Sequence, residues 1–173
     1  ARAKNTSEVL SDWSQAFEVT IVDAWTATFG GTADDEGYAV VQSADGGYVV
    51  AGRTSSFGAG SDDIYFVKTD ESGNQVWART SGESGSDVGY SIALTSDGGY
   101  IVTGVNWSMF IGTSVCLLKL DASGNKVGTG TIGWDGVDIG RSVAQTSDGG
   151  YIIAGETDSY GAGGRDVYLV KAD

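Results

Sequence analysis

Asp45-Gly46-Gly47-Tyr48, Asp97-Gly98-Gly99-Tyr100 and Asp148-Gly149-Gly150-Tyr151 are one phrase written three times, at intervals of 52 and 51 residues. Each is followed by an apolar run that closes on Lys and then Asp: Phe66 to Asp70, Leu117 to Asp121 and Leu169 to Asp173. A period near fifty residues with so regular an internal order marks a repeat architecture, in which each unit buries its apolar faces against its neighbours. Asp-Gly and Gly-Gly tolerate the positive φ of tight hairpins, so each phrase predicts a turn between two short strands.

Working outward from the first phrase, the pattern predicts strands over Tyr38 to Gln42 and Tyr48 to Gly52. A Gly-rich loop follows (Ser56 to Asp62), then a strand over Ile64 to Thr69, a turn at Asp70 to Asn74, and a fourth strand over Gln75 to Thr80 carrying Trp77. The second unit repeats this over Tyr90 to Thr95, Tyr100 to Gly104, Val115 to Leu120 and Lys126 to Thr131. The third gives Arg141 to Thr146, Tyr151 to Gly155 and Val167 to Ala172, with no fourth strand after it.

Val49-Val50-Ala51, Ile101-Val102-Thr103, Ile152-Ile153-Ala154 and Ile64-Tyr65-Phe66-Val67 carry apolar groups on both faces, which a strand does when both faces are covered. Four-stranded antiparallel sheets stacked face to face about an axis make a β-propeller, and the expected fold is therefore all-β with propeller-type blades. A β-solenoid is the rival, but its coils are shorter and lack two hairpin turns per repeat.

The chain resembles the propeller-type repeats, each roughly fifty residues long, of secreted and surface proteins of bacteria and archaea. The resemblance rests on Gly30-Gly31, Asp35, Gly37, Asp45 to Tyr48, Gly52, Thr54, Ser56, Phe57-Gly58, Gly60, Asp63, Lys68, Asp70, Gly73-Asn74 and Trp77, and it spans residues 25 to 173. It implies a propeller-type scaffold and brings no catalytic set with it. The second unit departs from the pattern: Asn106 to Gly112 replaces the Ser-Phe-Gly-Ala-Gly loop, and Gly128 stands where the Trp would be.

Composition narrows the function classes. The chain has 173 residues, a formal charge of −13, 28 Gly, no Pro, no His and one Cys. Such acidity repels nucleic acid and anionic membrane surfaces. No apolar stretch approaches the roughly 18 residues of a membrane span. Without His, and with Cys116 in an apolar strand, nucleophilic triads are excluded and no enzyme is expected. The DGG turns loosely resemble the Asp-box hairpins of sialidase-type propellers, but the Arg cluster and Tyr nucleophile of those enzymes have no counterpart here. The first residue is Ala1, as in a processed or trimmed chain, and the sequons at Asn5 and Asn106 would permit N-glycosylation outside the cytoplasm, so the expected location is outside the cell or on its surface.

Strand direction sorts the loops. One end of the units collects Asp35, Asp63, Asp87, Asp138 and Asp166 together with Phe57, Trp107, Phe110, Trp134 and Tyr160. The acids are candidate ligands for a hard cation such as Ca²⁺, and the aromatics are candidates for holding a glycan or small ligand. The plainer expectation is that each Asp braces its own loop by accepting backbone N–H bonds. No D-x-D-x-D-G calcium loop is present, and no cofactor is expected. Lys68, Lys119 and Lys171, each two residues before an Asp, are expected to tie the third strand to the turn that follows it.

Residues 1 to 22 form an arm outside the repeats, read as a short helix leading into a strand in which Phe17, Val19 and Ile21 alternate with polar residues. The repeats occupy residues 23 to 173. Ala24 to Thr28 matches a fourth strand, Trp25 lying 52 residues before Trp77, so the chain reads as three blades in circularly permuted form. Three blades are too few to close a propeller. The expected function is therefore a non-enzymatic extracellular structural protein that assembles with copies of itself, as a ring or a filament. The N-terminal strand would be donated head to tail, with Phe17, Val19, Ile21 and Trp25 meeting Val167 and Leu169. The alternative is a glycan- or small-ligand-binding module on the acidic and aromatic rim.

Overall fold

The structure is a computed structural model that describes residues 25–108 and 112–173. The arm, with Asn5, Phe17, Val19 and Ile21, lies outside the described residues, as do Ala24 and Phe110. The described residues form eleven strands and no helix. They are β1 (Asp35–Gln42), β2 (Tyr48–Thr54), β3 (Asp63–Thr69), β4 (Gln75–Ser81), β5 (Val88–Leu94), β6 (Tyr100–Ser108), β7 (Gly112–Leu120), β8 (Lys126–Ile132), β9 (Gly136–Gln145), β10 (Tyr151–Thr157) and β11 (Asp166–Ala172). Consecutive strands pair antiparallel within three units, β1–β4, β5–β8 and β9–β11.

The DGG phrases form the turns the sequence predicts. Gly46, Gly98 and Gly149 sit at φ of 86°, 79° and 92°, the left-handed region where only glycine is unstrained. The amides of Ser43, Thr95 and Thr146 close these turns by donating to the carbonyls of Gly47, Gly99 and Gly150.

Several expectations need correction. The first strand of each unit starts earlier than predicted, at Asp35, Val88 and Gly136, because a bulge beside Gly37, Gly89 and Gly140 lets pairing continue past the glycine. In unit 2, β6 and β7 run on to Ser108 and Gly112 where unit 1 has an open Gly-rich loop. β7 therefore reaches β9 and pairs with it in parallel at Gly112–Gly136 and Thr113–Val137, so units 2 and 3 share one sheet instead of forming two. Neither sheet closes on itself among the described residues. Of the stretch Ala24 to Thr28 matched to a fourth strand, the described residues 25–28 are not in a strand, and no third strand lies beside them to pair with.

The units stack face to face, so unit 2 is covered on both sides. Val49, Ala51, Ile64 and Phe66 of unit 1 pack against Ile92, Tyr100, Val102, Cys116, Leu118 and Leu120 of unit 2. The reverse face of unit 2, through Ile101 and Val115, packs on Val143 and Ile153 of unit 3. Each fully buried side chain of this size contributes about 1.5–3 kcal/mol, so these two interfaces are the core.

Candidate functional site

The loop end of each unit is set by strand register. Asp35 pairs with Thr54, which pairs with Asp63, and in unit 3 Asp138 pairs with Thr157, which pairs with Asp166. Asp35 accepts from Gly31 N and Ser56 Oγ, both at 2.8 Å, and from the Thr54 hydroxyl. Asp138 repeats the set with Trp134 N at 3.2 Å, Ser159 Oγ at 2.8 Å and the Thr157 hydroxyl. Asp63 accepts from Ala59 N and Gly60 N, and Asp166 from Ala162 N. These four rim acids thus serve their own loops. Among the described residues, no three Asp, Glu, His or Cys side chains gather in a way that could hold a metal ion.

Asp87, the fifth rim acid, is the exception. It accepts from Glu83 N at 2.9 Å through Oδ2, but its buried Oδ1 has no partner. The cause is a sequence change, because Asn106 stands where Thr54 and Thr157 supply a hydroxyl in the flanking units. Burial, with Asp63 and Glu83 as nearby like charges, pushes its carboxyl above the ordinary range. Asp35 is shifted down instead, chiefly by the Thr54 hydroxyl.

The rim aromatics are spread along the units. Phe57 leans on Tyr65 with ring centroids 5.8 Å apart, and Tyr160 stacks on Tyr168 at 5.5 Å. Trp107 packs over Gly85, where a Cβ would come within 2.8 Å of its ring. Trp134 is 71% exposed. A cleft of about 370 Å³ beside Tyr65 and Arg79 includes Phe57. The side chain of Asn106 is half-buried and lines a cleft with Asp87 and Gly82.

At the other end, the lysines tie the third strand to a different turn from the one expected. Lys68 Nζ is 2.8 Å from Asp45, Lys119 Nζ 2.9 Å from Asp97 and Lys171 Nζ 3.1 Å from Asp148. Each reaches across the second strand to the DGG hairpin. Lys171 alone also pairs with the Asp two residues on, Asp173 at 2.6 Å. The Lys68 ammonium, then the Ser43 hydroxyl, hold Asp45 down to about 2, while Asp148 is brought to about 2 by the Thr146 hydroxyl and then Lys171.

The second candidate site is the outer face and free edge of unit 3. Val167 and Leu169 of β11 are 90% and 68% exposed, whereas Ile64 and Phe66, their counterparts in β3, are 2% and 1% exposed. β3 is paired on both sides, by β2 and β4, and β11 is paired by β10 alone. A matching contact is found at the opposite end of the molecule. Trp77 of β4 lies over Gly124 in the turn of unit 2, where a Cβ would come within 2.7 Å of its ring. One period earlier, Trp25 lies over Gly73 in the turn of unit 1, the corresponding distance being 2.5 Å. Trp25 also meets Tyr48 at 6.1 Å between centroids. It occupies the place of a fourth-strand tryptophan belonging to a unit before unit 1. Only glycine leaves room for the ring in either turn, a signal legible in the Gly73 and Gly124 repeat.

No known protein family matches the chain, and no curated protein does.

Proposed function

We propose that this chain is a non-enzymatic structural protein of the cell exterior, built of propeller-type blades, that assembles with copies of itself head to tail. The exposure of Val167 and Leu169 carries the reading, because at the same positions Ile64, Phe66 and Val115 are buried and Leu117 is half-buried where the repeat has a neighbour. A flat apolar face beside an unpaired strand edge is a pairing site that soluble proteins otherwise avoid. Unit 1 offers the complementary face, where Val40 is 62% exposed while its counterparts Ile92 and Val143 are buried. Residues 25–29 of one copy would lie along β11 of the next, with Trp25 held over Gly73 of its own chain. The contact is heterologous, so the rotation between copies decides between a closed ring and an open filament.

Cryo-EM and mass photometry of the intact protein test this. Rings or filaments are the expected result, and Leu169→Asp should dissolve them into soluble single chains. A monodisperse monomer at micromolar concentration overturns the reading.

Exposed Trp134 supports a second reading, glycan binding on the rim. It requires retention on a glycan array that disappears with Trp134→Ala.

A further inference from the structure

The contacts between units recur with the period of the sequence, and the recurrence specifies how two copies would meet. At the junction of units 1 and 2, Asp62 and Ser86 form a parallel bridge, and Ser86 Oγ donates to the Asp62 carboxylate at 2.9 Å. One period on, Thr113 and Val137 hold the same places and again pair in parallel. A further step brings Arg165 into the first place, and the second falls to the residue one period before Ser86, which is Asp34. The two residues carry opposite charge. Arg165 is exposed and weakly held, 3.3 Å from Glu156. The exposed Asp34 side chain has no ion pair among the described residues, although its carbonyl accepts from Ser55 N at 2.8 Å.

Two polar contacts at the junction of units 2 and 3 tell the same story. Ser91 Oγ accepts from Val143 N at 3.2 Å, and Gln145 Oε1 accepts from Ser96 N at 2.8 Å. At the junction of units 1 and 2 neither can form, because Ala39 replaces the serine and Leu94 the glutamine. The open faces restore both: unit 3 has Ser142 in the place of Ser91, and unit 1 has Gln42 in the place of Gln145. The open faces thus carry the donors and acceptors of the unit 2–unit 3 junction and not those of the unit 1–unit 2 junction.

We infer that unit 3 of one copy receives unit 1 of a second copy in the register of the unit 2–unit 3 junction, with an Arg165–Asp34 ion pair between copies. The inference rests on the self-assembly reading and names its register. Its partner is a second copy of this chain, chosen by charge and by matched donors and acceptors as well as by apolar area.

A charge swap on the full chain tests it, read by sedimentation velocity at low and physiological salt. Arg165→Asp and Asp34→Arg should each weaken association about tenfold or more, since like charges then face each other across the contact. The double variant should recover it. Both positions are exposed, so circular dichroism melts should be unchanged and folding failure is separable from lost association. Unchanged association in either single variant, or a double variant no better than the singles, overturns the ion pair and its register while leaving self-assembly standing. A monomeric wild-type chain overturns both.

Discussion

β3 and β11 are the same strand in two situations. Both read as an apolar run ending in Lys, both lie antiparallel beside a second strand, and both send that lysine to the DGG turn. Yet Phe66 is buried under unit 2 and Leu169 stands in the open. The strand is thus apolar on both faces because of what stacks upon it, and the sequence of β11 prepares for a neighbour that the described residues do not supply. Removing the covered side chain should cost far more than removing the open one. Phe66→Ala is expected to lower unfolding free energy by about 3–5 kcal/mol. Leu169→Ala should change it by no more than about 0.5 kcal/mol in the dissociated chain, while weakening assembly. Urea denaturation of both variants at a concentration where the chain is monomeric checks the pair. Equal losses would mean that the face of unit 3 is covered within a single chain.

A second contrast lies at the loop end, where Asp35 and Asp87 hold equivalent places with opposite electrostatics. The Thr54 hydroxyl stabilises the Asp35 carboxylate, and the change to Asn106 leaves Asp87 Oδ1 buried and bare. Asn106→Thr should restore the missing hydroxyl and stabilise the protein by about 1 kcal/mol, the net value of a typical hydrogen bond. Thermal melts of this variant against the wild type measure the gain. A loss would mean that Asn106 itself supports the pairing of β6 with β7, where it lies opposite Ser114.

The same contrast predicts a pH dependence. The folded carboxyl of Asp87 holds its proton more tightly than the unfolded one, so its contribution favours folding in acid and is lost as pH rises through its raised value. Asp45 and Asp148 act the other way, each at about 2 against an ordinary 3.8. Their stabilisation is present above pH 3.8 and disappears as pH falls toward 2. Overall stability should therefore fall in acid. The difference between Asp87→Asn and the wild type should grow in favour of the variant as pH rises above 3.8 toward neutrality. Denaturation curves at pH 3, 5 and 7 test this, and a difference that does not change with pH would remove burial of the charge as the cause.

The period, the hairpin turns and the strand order were legible in the sequence, because Gly at positive φ and two-faced apolar runs are local properties. What was less legible depends on contacts between residues distant in sequence, within a unit or between units. The Lys68–Asp45 pair spans 23 residues and could not be told from a bond to nearby Asp70 until β2 and β3 were in register. The merging of units 2 and 3 into one sheet follows from Gly112 and Thr113 reaching β9, which depends on β6 and β7 running on to Ser108 and Gly112 where unit 1 has an open loop. The bare Asp87 oxygen was visible in principle, as Asn106 in a column of threonines, but its burial was not. The Trp25–Gly73 contact was half visible: the spacing of Trp25 and Trp77 marks equivalent residues, and only the structure shows each ring seated over a glycine of the following turn.

The smallest expected effect separates the rim from the stacking faces. Trp134 is 71% exposed, and its amide, not its ring, is what Asp138 engages, at 3.2 Å. Replacing the indole with a methyl leaves that hydrogen bond in place and removes little buried area, so Trp134→Ala should shift stability by no more than about 0.5 kcal/mol. Trp107→Ala should cost somewhat more, because its ring covers Gly85. Assembly should be unaffected in either case, since neither residue lies on the open face of unit 3 or of unit 1. Light scattering of the two variants beside Leu169→Ala makes the comparison direct. If Trp134→Ala abolished assembly while Leu169→Ala did not, copies would meet through the loop rim, and β11 would need another explanation for its apolar face.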